Sequence, residues 1–470
     1  MSYQVPQHID KDKIFIVRKS EIEGRLEPDF YKPSIATLEQ KIRSLSSKRL
    51  RSYALSFAGG ATPSKRESEK YYSDSQTGVP FLRVQNLQTT GELLLDGCVY
   101  INEDTHNGLL KRSQVSEGDL LVKITGVGRM AIASVAPKDF VGNTNQHMVV
   151  IKTGNSAVSK YLAHYLNLDI IEKIASRHST GGTRPALDYP SLKNIPIIEG
   201  LDFSIIDNAI KAKKAKESEA KQLLDSIDGY LLKELGITIP EVKTDIGSRM
   251  FIIQRSELKG RYTPGLYKDA ISLHSTIYDN ISLSHLAYVN PNTRLPYKDE
   301  KMMIPFIPME SVNEIYAEIN DNKNCIVADS KGFTRFQEGD LLWAKITPCM
   351  ENGKSAIAKG LTNGYGCGST EFHVIRPKNS RLLVEYIHIL LHMKFVRQTA
   401  KLYFGGSAGQ QRVASDFLES FNVPLPSKTK QQDIVNYITN IRTRAKALQT
   451  EGKTILENAK RKVEQMIMGD

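Results

Sequence analysis

Two clusters in this chain could hold a metal ion and cut a phosphodiester: Glu117-Gly-Asp119 with Lys123, and Glu338-Gly-Asp340 with Lys345. Paired carboxylates beside a lysine would serve metal-assisted hydrolysis. Gly-Asp after Glu is also a good turn before a strand, since Gly supplies conformational freedom and Asp can bond its own backbone. That plainer reading is preferred here. No Gly-x-x-x-x-Gly-Lys-Ser/Thr run is present to grip phosphates. Gly126-Val-Gly128 and Gly366-Cys-Gly368 lack a third glycine at the right spacing and read as tight turns. Asn290-Pro-Asn292 lacks the second proline and the aromatic residue of an adenine methyltransferase motif. The ten histidines show no metal-ligand spacing. Cys98, Cys325, Cys349 and Cys367 lie far apart, so they read as small buried hydrophobes in a reducing compartment. These residues point to a chain that binds and carries no active site of its own, and no metal site.

Bulk composition fits that reading. At 470 residues, with 40% hydrophobic and 24% charged residues, two to three globular domains are expected. A net charge of +11 favours an anionic partner, nucleic acid foremost. The first residues, Met1-Ser-Tyr-Gln-Val-Pro6, show no secretion signal, and no apolar run nears the roughly 18 residues that cross a bilayer. The expected compartment is the cytoplasm.

The elements that must position any site are written twice. Phe15-Ile-Val-Arg-Lys-Ser-Glu-Ile-Glu-Gly-Arg-Leu-Glu-Pro28 returns as Phe251-Ile-Ile-Gln-Arg-Ser-Glu-Leu-Lys-Gly-Arg-Tyr-Thr-Pro264, with Tyr31 and Tyr267 in the same register. Self-similarity of this kind sets the architecture, here two copies of one module. A short helix is expected within Pro33–Leu50, with Ile35, Leu38, Ile42 and Leu45 on one side. Val79–Val84, Asp119–Ile124, Ala131–Val135 and His147–Ile151 read as strands, and Tyr161–Ala175 as a helix. Phe203–Leu235 has no proline and one glycine, so a helix of about 50 Å is predicted, ended by Gly236 and Pro240. The second module repeats Glu-Gly-Asp-Leu-Leu at 338–342, Lys-Ile-Thr at 345–347 and Ala-Ile-Ala at 356–358. Gly405-Gly406 answers Gly181-Gly182, and Val423-Pro-Leu425 answers Ile195-Pro-Ile197. A second long helix is predicted over Lys430–Met468, with Gly452 as a weak point. Ile206, Ile210, Ala220, Leu224, Ile227 and Leu231 form one apolar stripe. Ile434, Ile438, Ile441, Ala445, Leu448, Ile455, Ala459 and Met466 form the other. The stripes are expected to pair antiparallel, coiled-coil fashion.

Gly59-Gly-Ala-Thr-Pro-Ser64 resembles the Gly-Gly-Thr-Pro-Ser element of target recognition domains in type I restriction-modification specificity subunits. The Gly-Asp-Leu-Leu strands, the Gly-Gly turns and the Ile/Val-Pro exits before long helices are similar to the same family, and the likeness runs along nearly all the chain. The second module departs at Ala287-Tyr-Val-Asn-Pro-Asn292. The resemblance implies an α+β fold of two β-rich target recognition domains and two long antiparallel helices with pseudo-two-fold symmetry. The segments would be 1–202, 203–237, 238–426 and 427–470. It implies a non-catalytic subunit that reads a bipartite, asymmetric double-stranded DNA target and scaffolds two methyltransferase (modification) subunits and motor-nuclease (restriction) subunits. S-adenosylmethionine, ATP and Mg would sit on those partners, and the chain itself would take no cofactor. The paired helices would act as a ruler for the unread spacer. Ile206, Ile210, Leu224, Ile227, Leu231, Ile434, Ile438, Ile441, Leu448 and Ile455 are the expected interface residues. Two alternatives stay open: a self-sufficient methyltransferase or nuclease with divergent motifs, and a DNA-binding scaffold without a modification partner.

Phosphate contacts need cations and small donors, and base edges need Arg, Lys, Asn or Gln. In the first module the candidates are Thr62, Ser64 and Lys65 with Arg66; Arg83, Gln85 and Asn86; Lys123, Thr125 and Arg129; Asn145 and Gln146 with Asn143 and His147; and Thr183 and Arg184 with Ser179 and Thr180. In the second they are Lys345, Thr347, Asn352, Lys354, Ser369, Thr370, Gln410, Gln411 and Arg412.

Overall fold

The computed structural model describes residues 10–46, 48–239, 252–255, 273–295, 301–406 and 410–469. Contacts gather the chain into two units, Met1–Lys216 with Thr450–Asp470, and Glu217–Gln449. The second copy of the duplicated stretch lies outside the described residues except for 252–255, as does Pro240.

In unit 1, α1 (Pro33–Ser44) opens on a proline whose fixed dihedral suits a first helical position. The strands that build the site are β1 (Ser56–Gly59), β2 (Val79–Leu82), β3 (Gln114–Ser116), β4 (Leu120–Lys123), β5 (Ala133–Val135), β6 (Val141–Thr144) and β7 (Met148–Lys152). One antiparallel sheet has the order β1-β7-β4-β5. In a second sheet, β6 lies between β3 and β2, and β2 runs parallel to β6 with Leu82 opposite Thr144. Strands β4 and β7 are apolar runs because both faces are covered. Leu120, Val122, Val149 and Ile151 enter the core shared with the helices. Leu121, Met148 and Val150 point the other way, onto Leu82, Val115 and Phe140. Each such side chain contributes about 1.5–3 kcal/mol on burial.

The run expected as one helix over 161–175 is two, α2 (Ser156–Leu166) and α3 (Asp169–Arg177). Asn167 breaks it. Its side chain accepts from the Ala133 N–H at 3.2 Å and donates to the Ala133 carbonyl at 2.7 Å, finishing the sheet edge instead of the helix.

Helix α4 (Ser204–Glu234) begins in unit 1 and continues in unit 2, so the long helices form no unit of their own. Unit 2 has β8 (Ala287–Val289), β9 (Met303–Ile307), β10 (Thr334–Gln337), β11 (Leu341–Ala344), β12 (Ser355–Ile357), β13 (Tyr365–Gly368) and β14 (Phe372–Pro377). Helices α5 (Val384–His392) and α6 (Lys394–Lys401) follow, then α7 (Lys428–Met468). Its first sheet has the order β8-β14-β11-β12, and in its second β9 runs parallel to β13 with Ile307 opposite Gly368. The connectivity repeats that of unit 1.

The stripes on the long helices are spent inside the chain. In unit 2, Ile227, Leu231, Ile434, Ile438 and Ile441 are core, and Leu224 and Leu448 pack around Ala220, Tyr316 and Ala445. There α4 and α7 run antiparallel, since Glu219 meets Arg444 at 3.2 Å whereas Tyr230 stacks on Tyr437 at 4.1 Å. In unit 1, Ile206 and Ile210 are core beside Leu456, Ala459, Val463 and Ile467, with Ile455 at the edge. Met466 is 69% exposed and Ile467 takes its place, because a straight helix drifts out of a heptad pattern. Gly452 is a packing site: a Cβ there would lie 3.3 Å from the Lys213 Cα, and Lys216 pairs with Glu451 at 2.8 Å one turn on.

Candidate nucleic-acid interface

Glycine at position 60 decides the shape of the unit 1 face. A Cβ there would stand 1.7 Å from the Thr144 carbonyl oxygen, so only glycine lets the loop after β1 press against the end of β6. That approach puts Thr62 in hydrogen-bond contact with Gln146. Ser64 then accepts from the Arg66 N–H at 3.3 Å and opens a short turn on which Lys65 and Arg66 are exposed.

The loop after β6 joins this surface to a third. Asn145 accepts from the His147 N–H at 3.1 Å, and His147 Nε2 lies 3.1 Å from an Arg184 Nη2 donor. Burial, then the Arg184 charge, holds His147 below the usual histidine range, as an imidazole that accepts from a guanidinium must be. Thr125 forms a bridge with Ala186, and the Gly126 N–H donates to the Pro185 carbonyl at 3.0 Å. Thr62, Ser64, Lys65, Thr125, Gln146, Thr183 and Arg184 therefore belong to one continuous patch, with Thr183 and Arg184 exposed beside Gly181-Gly182. Gln85 is exposed where the chain leaves β2.

Most other candidates in unit 1 are tied up in structure. Asn86 is buried, accepting from the Arg83 N–H at 2.8 Å and donating to the Leu94 carbonyl at 2.7 Å. Arg83 is half-buried, and its Nε has no hydrogen-bond partner. Lys123 is buried with its ammonium on the Val127 carbonyl at 2.8 Å, and burial pushes it below the usual lysine range. Arg129 pairs with Asp169 and donates to the Asn167 carbonyl at 2.6 Å, bracing the start of α3. Asn143 is buried and donates to the Leu110 carbonyl at 2.8 Å, and Asn145 is buried as a turn brace.

In unit 2 the strand β8 holds the place of β1: Val289 faces Ile375 as Phe57 faces Ile151. The divergent Asn290-Pro-Asn292 thus leaves the same sheet edge as Gly59-Gly60. Thr347 bonds Glu351 and its N–H donates to the Gln411 carbonyl at 3.0 Å, bringing those two loops together. Asn352, Thr370 and Gln410 are exposed, and Lys345, Ser369 and Gln411 are half-buried. Ser369 accepts from the Glu371 N–H at 3.2 Å.

Two cations here are spent. Lys354 donates to the carbonyls of Met309 and Val312 at 3.2 and 3.1 Å. Arg412 grips Glu371 with two bonds of 2.9 and 2.7 Å. The matched Lys-Ile-Thr runs are also out of step. Lys123 faces Met148 in its ladder, whereas Ala344, not Lys345, faces Phe372.

The Glu-Gly-Asp carboxylates are braces in both units. Asp119 accepts from the Ser116 N–H at 2.8 Å and from Lys152 at 2.7 Å. Asp340 accepts from the Gln337 N–H at 2.8 Å and takes two 2.7 Å bonds from Arg376. Among the described residues no group of three His, Cys, Asp or Glu could hold a metal ion. Nor is any helix among them long and apolar enough to cross a membrane.

Sequence reasoning missed two arginines. Arg112 is exposed and donates to the Gly59 carbonyl at 3.2 Å, adding a cation beside the glycine loop. Arg25 donates to the carbonyls of His178 and Ser179, just ahead of Gly181-Gly182, and the Gly-Arg pair shared by both copies of the duplicated stretch was its signal.

Residues 278–458 match the family model for the type I restriction modification DNA specificity domain. Over 188 residues the chain is 34% identical to the type I restriction enzyme EcoEI specificity subunit of Escherichia coli, covering 40% of this chain and 31% of that one. Over 191 residues it is 32% identical to the EcoAI specificity subunit of the same organism, with the same coverage. The match thus spans about a third of the length of these relatives. Among solved structures, the S subunit of a type I restriction-modification system from M. genitalium is similar at 12% identity and a TM-score of 0.35, covering 88% of this chain and 95% of that one. Over residues 278–458 the chain thus matches the type I restriction modification DNA specificity domain, and over 40% of its length it is similar to type I restriction enzyme specificity subunits.

Proposed function

We propose that this chain reads a split, asymmetric double-stranded DNA target, one half with each unit, and directs methylation and cleavage carried out by partner subunits in the cytoplasm. The observation that carries the reading is one scaffold with two chemistries. The units share a strand order, yet Gly59-Gly60 leads from the sheet edge in one and Pro291-Asn292 in the other. A shared frame with different loops is what two unlike half-sites require. The first-unit patch supplies exposed Lys65, Arg66 and Arg184 for phosphates and Gln146 for a base edge. In unit 2 the readers are Thr347, Asn352, Thr370 and Gln410, with Lys345, Ser369 and Gln411 beside them. S-adenosylmethionine, ATP and Mg belong to the partners, because the carboxylates that a self-sufficient nuclease would need are occupied as braces.

The test is to map methylated adenines in the host genome with and without this gene. A two-part motif that vanishes on deletion supports the proposal. An unchanged map, or methyl transfer by the purified chain alone, sinks it.

A further inference from the structure

We infer that Val127 is a base-contacting residue of unit 1, reading the C5-methyl group of a thymine. This rests on the reading of unit 1 as a DNA-binding module. Val127 is 79% exposed at the tip of the β4–β5 connection, flanked by Gly126 at φ +120° and Gly128 at φ +80°. An exposed valine on a floppy loop would mean nothing, but this loop is held at every corner. The buried Lys123 ammonium donates to the carbonyl of Val127 itself at 2.8 Å. Gly126 is fixed to Pro185, and Arg129 to Asp169 and the Asn167 carbonyl. Ala131 closes the turn at φ +53°, a conformation that a residue with a side chain adopts only when its surroundings enforce it.

A lysine taken out of water to hold one backbone carbonyl is an unusual outlay for a turn between two strands. It fixes the tip while leaving the isopropyl group in solvent. Through Thr125–Ala186 and Gly126–Pro185 the tip adjoins the loop that carries Arg184. The cations and amides of that patch serve phosphates and polar base edges, and a rigid branched alkyl group beside them suits the one apolar feature of the major groove, the thymine methyl. The corresponding connection in unit 2 carries Pro348-Cys349 in place of Gly-Val-Gly, so the device belongs to one half-site.

The test uses the full chain. Its target is first selected from randomised duplexes, and each thymine in turn is then replaced by deoxyuridine, which lacks only the methyl group. One replacement should weaken wild-type binding roughly tenfold and leave Val127→Ala unaffected, with Val127→Ile restoring the discrimination. Equal responses of wild type and Val127→Ala at every thymine overturn the inference while leaving DNA reading intact. Failure of wild type to select any sequence overturns the DNA-reading proposal itself.

Discussion

The guanidinium of Arg25 donates to the Ser179 carbonyl at 2.8 Å and to the His178 carbonyl at 3.3 Å, and lies over the Phe30 ring at 4.6 Å. The duplicated stretch thereby pins the loop that carries Thr183 and Arg184. Replacing Arg25 by Ala leaves two carbonyls without their charged donor, at a cost of about 1.5–3 kcal/mol. Thermal unfolding should register that loss, and DNA affinity should fall as the loop loosens. Unchanged stability and affinity would discount the strut.

Glu39 predicts an acid transition. It is buried and bonds Arg177 at 2.5 Å, His178 at 2.9 Å and Arg43 at 2.5 Å. Burial pushes its carboxyl up, but His178 and Arg43 outweigh that and hold it at about 2. Since the folded value lies below the unfolded one near 4.5, this stabilisation is full above about pH 5 and drains away as pH falls toward 2. At 1.36 kcal/mol per unit it is on the order of 3 kcal/mol. Denaturation series between pH 3 and 7 should show the slope in wild type and a flatter one in Glu39→Gln.

Arg184 and Gln146 should fail differently. Arg184→Ala is expected to weaken binding about equally on all sequences and to lower the salt slope by about one. Gln146→Ala should relax one base position at about 1–3 kcal/mol and leave the slope alone. Titrations at several salt concentrations on matched and mismatched duplexes separate the two. Identical behaviour would count against the division of labour.

Arg129 and Arg412 look like DNA readers in sequence and should act as braces. Arg129→Ala should lower the melting temperature of unit 1, and any change in the selected sequence should be confined to the thymine assigned to Val127. For Arg412 with Glu371, half exposed, a double-mutant cycle should give no more coupling than an ordinary surface ion pair. A change in base preference at any other position, with either variant, would restore its place among the readers.

Gly452→Val is expected to part the helices where they touch. Branched atoms would enter a gap in which even a Cβ meets Lys213 at 3.3–3.4 Å, and overpacking of this kind costs about 1–3 kcal/mol. Gly452→Ala should be far milder, because better helix propensity offsets the crowding by about 1 kcal/mol. Melting curves of the two variants settle the order.

Periodicity and repetition carried much of the fold. Phe203–Leu235 contains the helix Ser204–Glu234, and Asp119–Ile124 the strand Leu120–Lys123, because apolar spacing and breakers act locally. The site was less legible. Lys123, Arg129, Lys354 and Arg412 have the chemistry of DNA contacts, and what removes them is a carbonyl or carboxylate brought up by the fold. Asn167 shows the same limit for helices, since its partner Ala133 lies on a strand that helical spacing cannot see. Gly60 shows the same limit from the other side: the Thr144 carbonyl, 1.7 Å from where a Cβ would stand, is brought there by the fold and is not written in the local sequence.

Unit 1 takes its last wall from Thr450–Asp470, where Leu456, Val463 and Ile467 close over Ile206 and Ile210. A ribosome that has reached Lys216 has not yet made that wall, so the earlier-born part of the unit must wait for the later one before its core is sealed. A gene cut between the two modules would yield a first product with an open seam. A gene rearranged to place Thr450–Asp470 ahead of Met1 would let that unit close as it emerges.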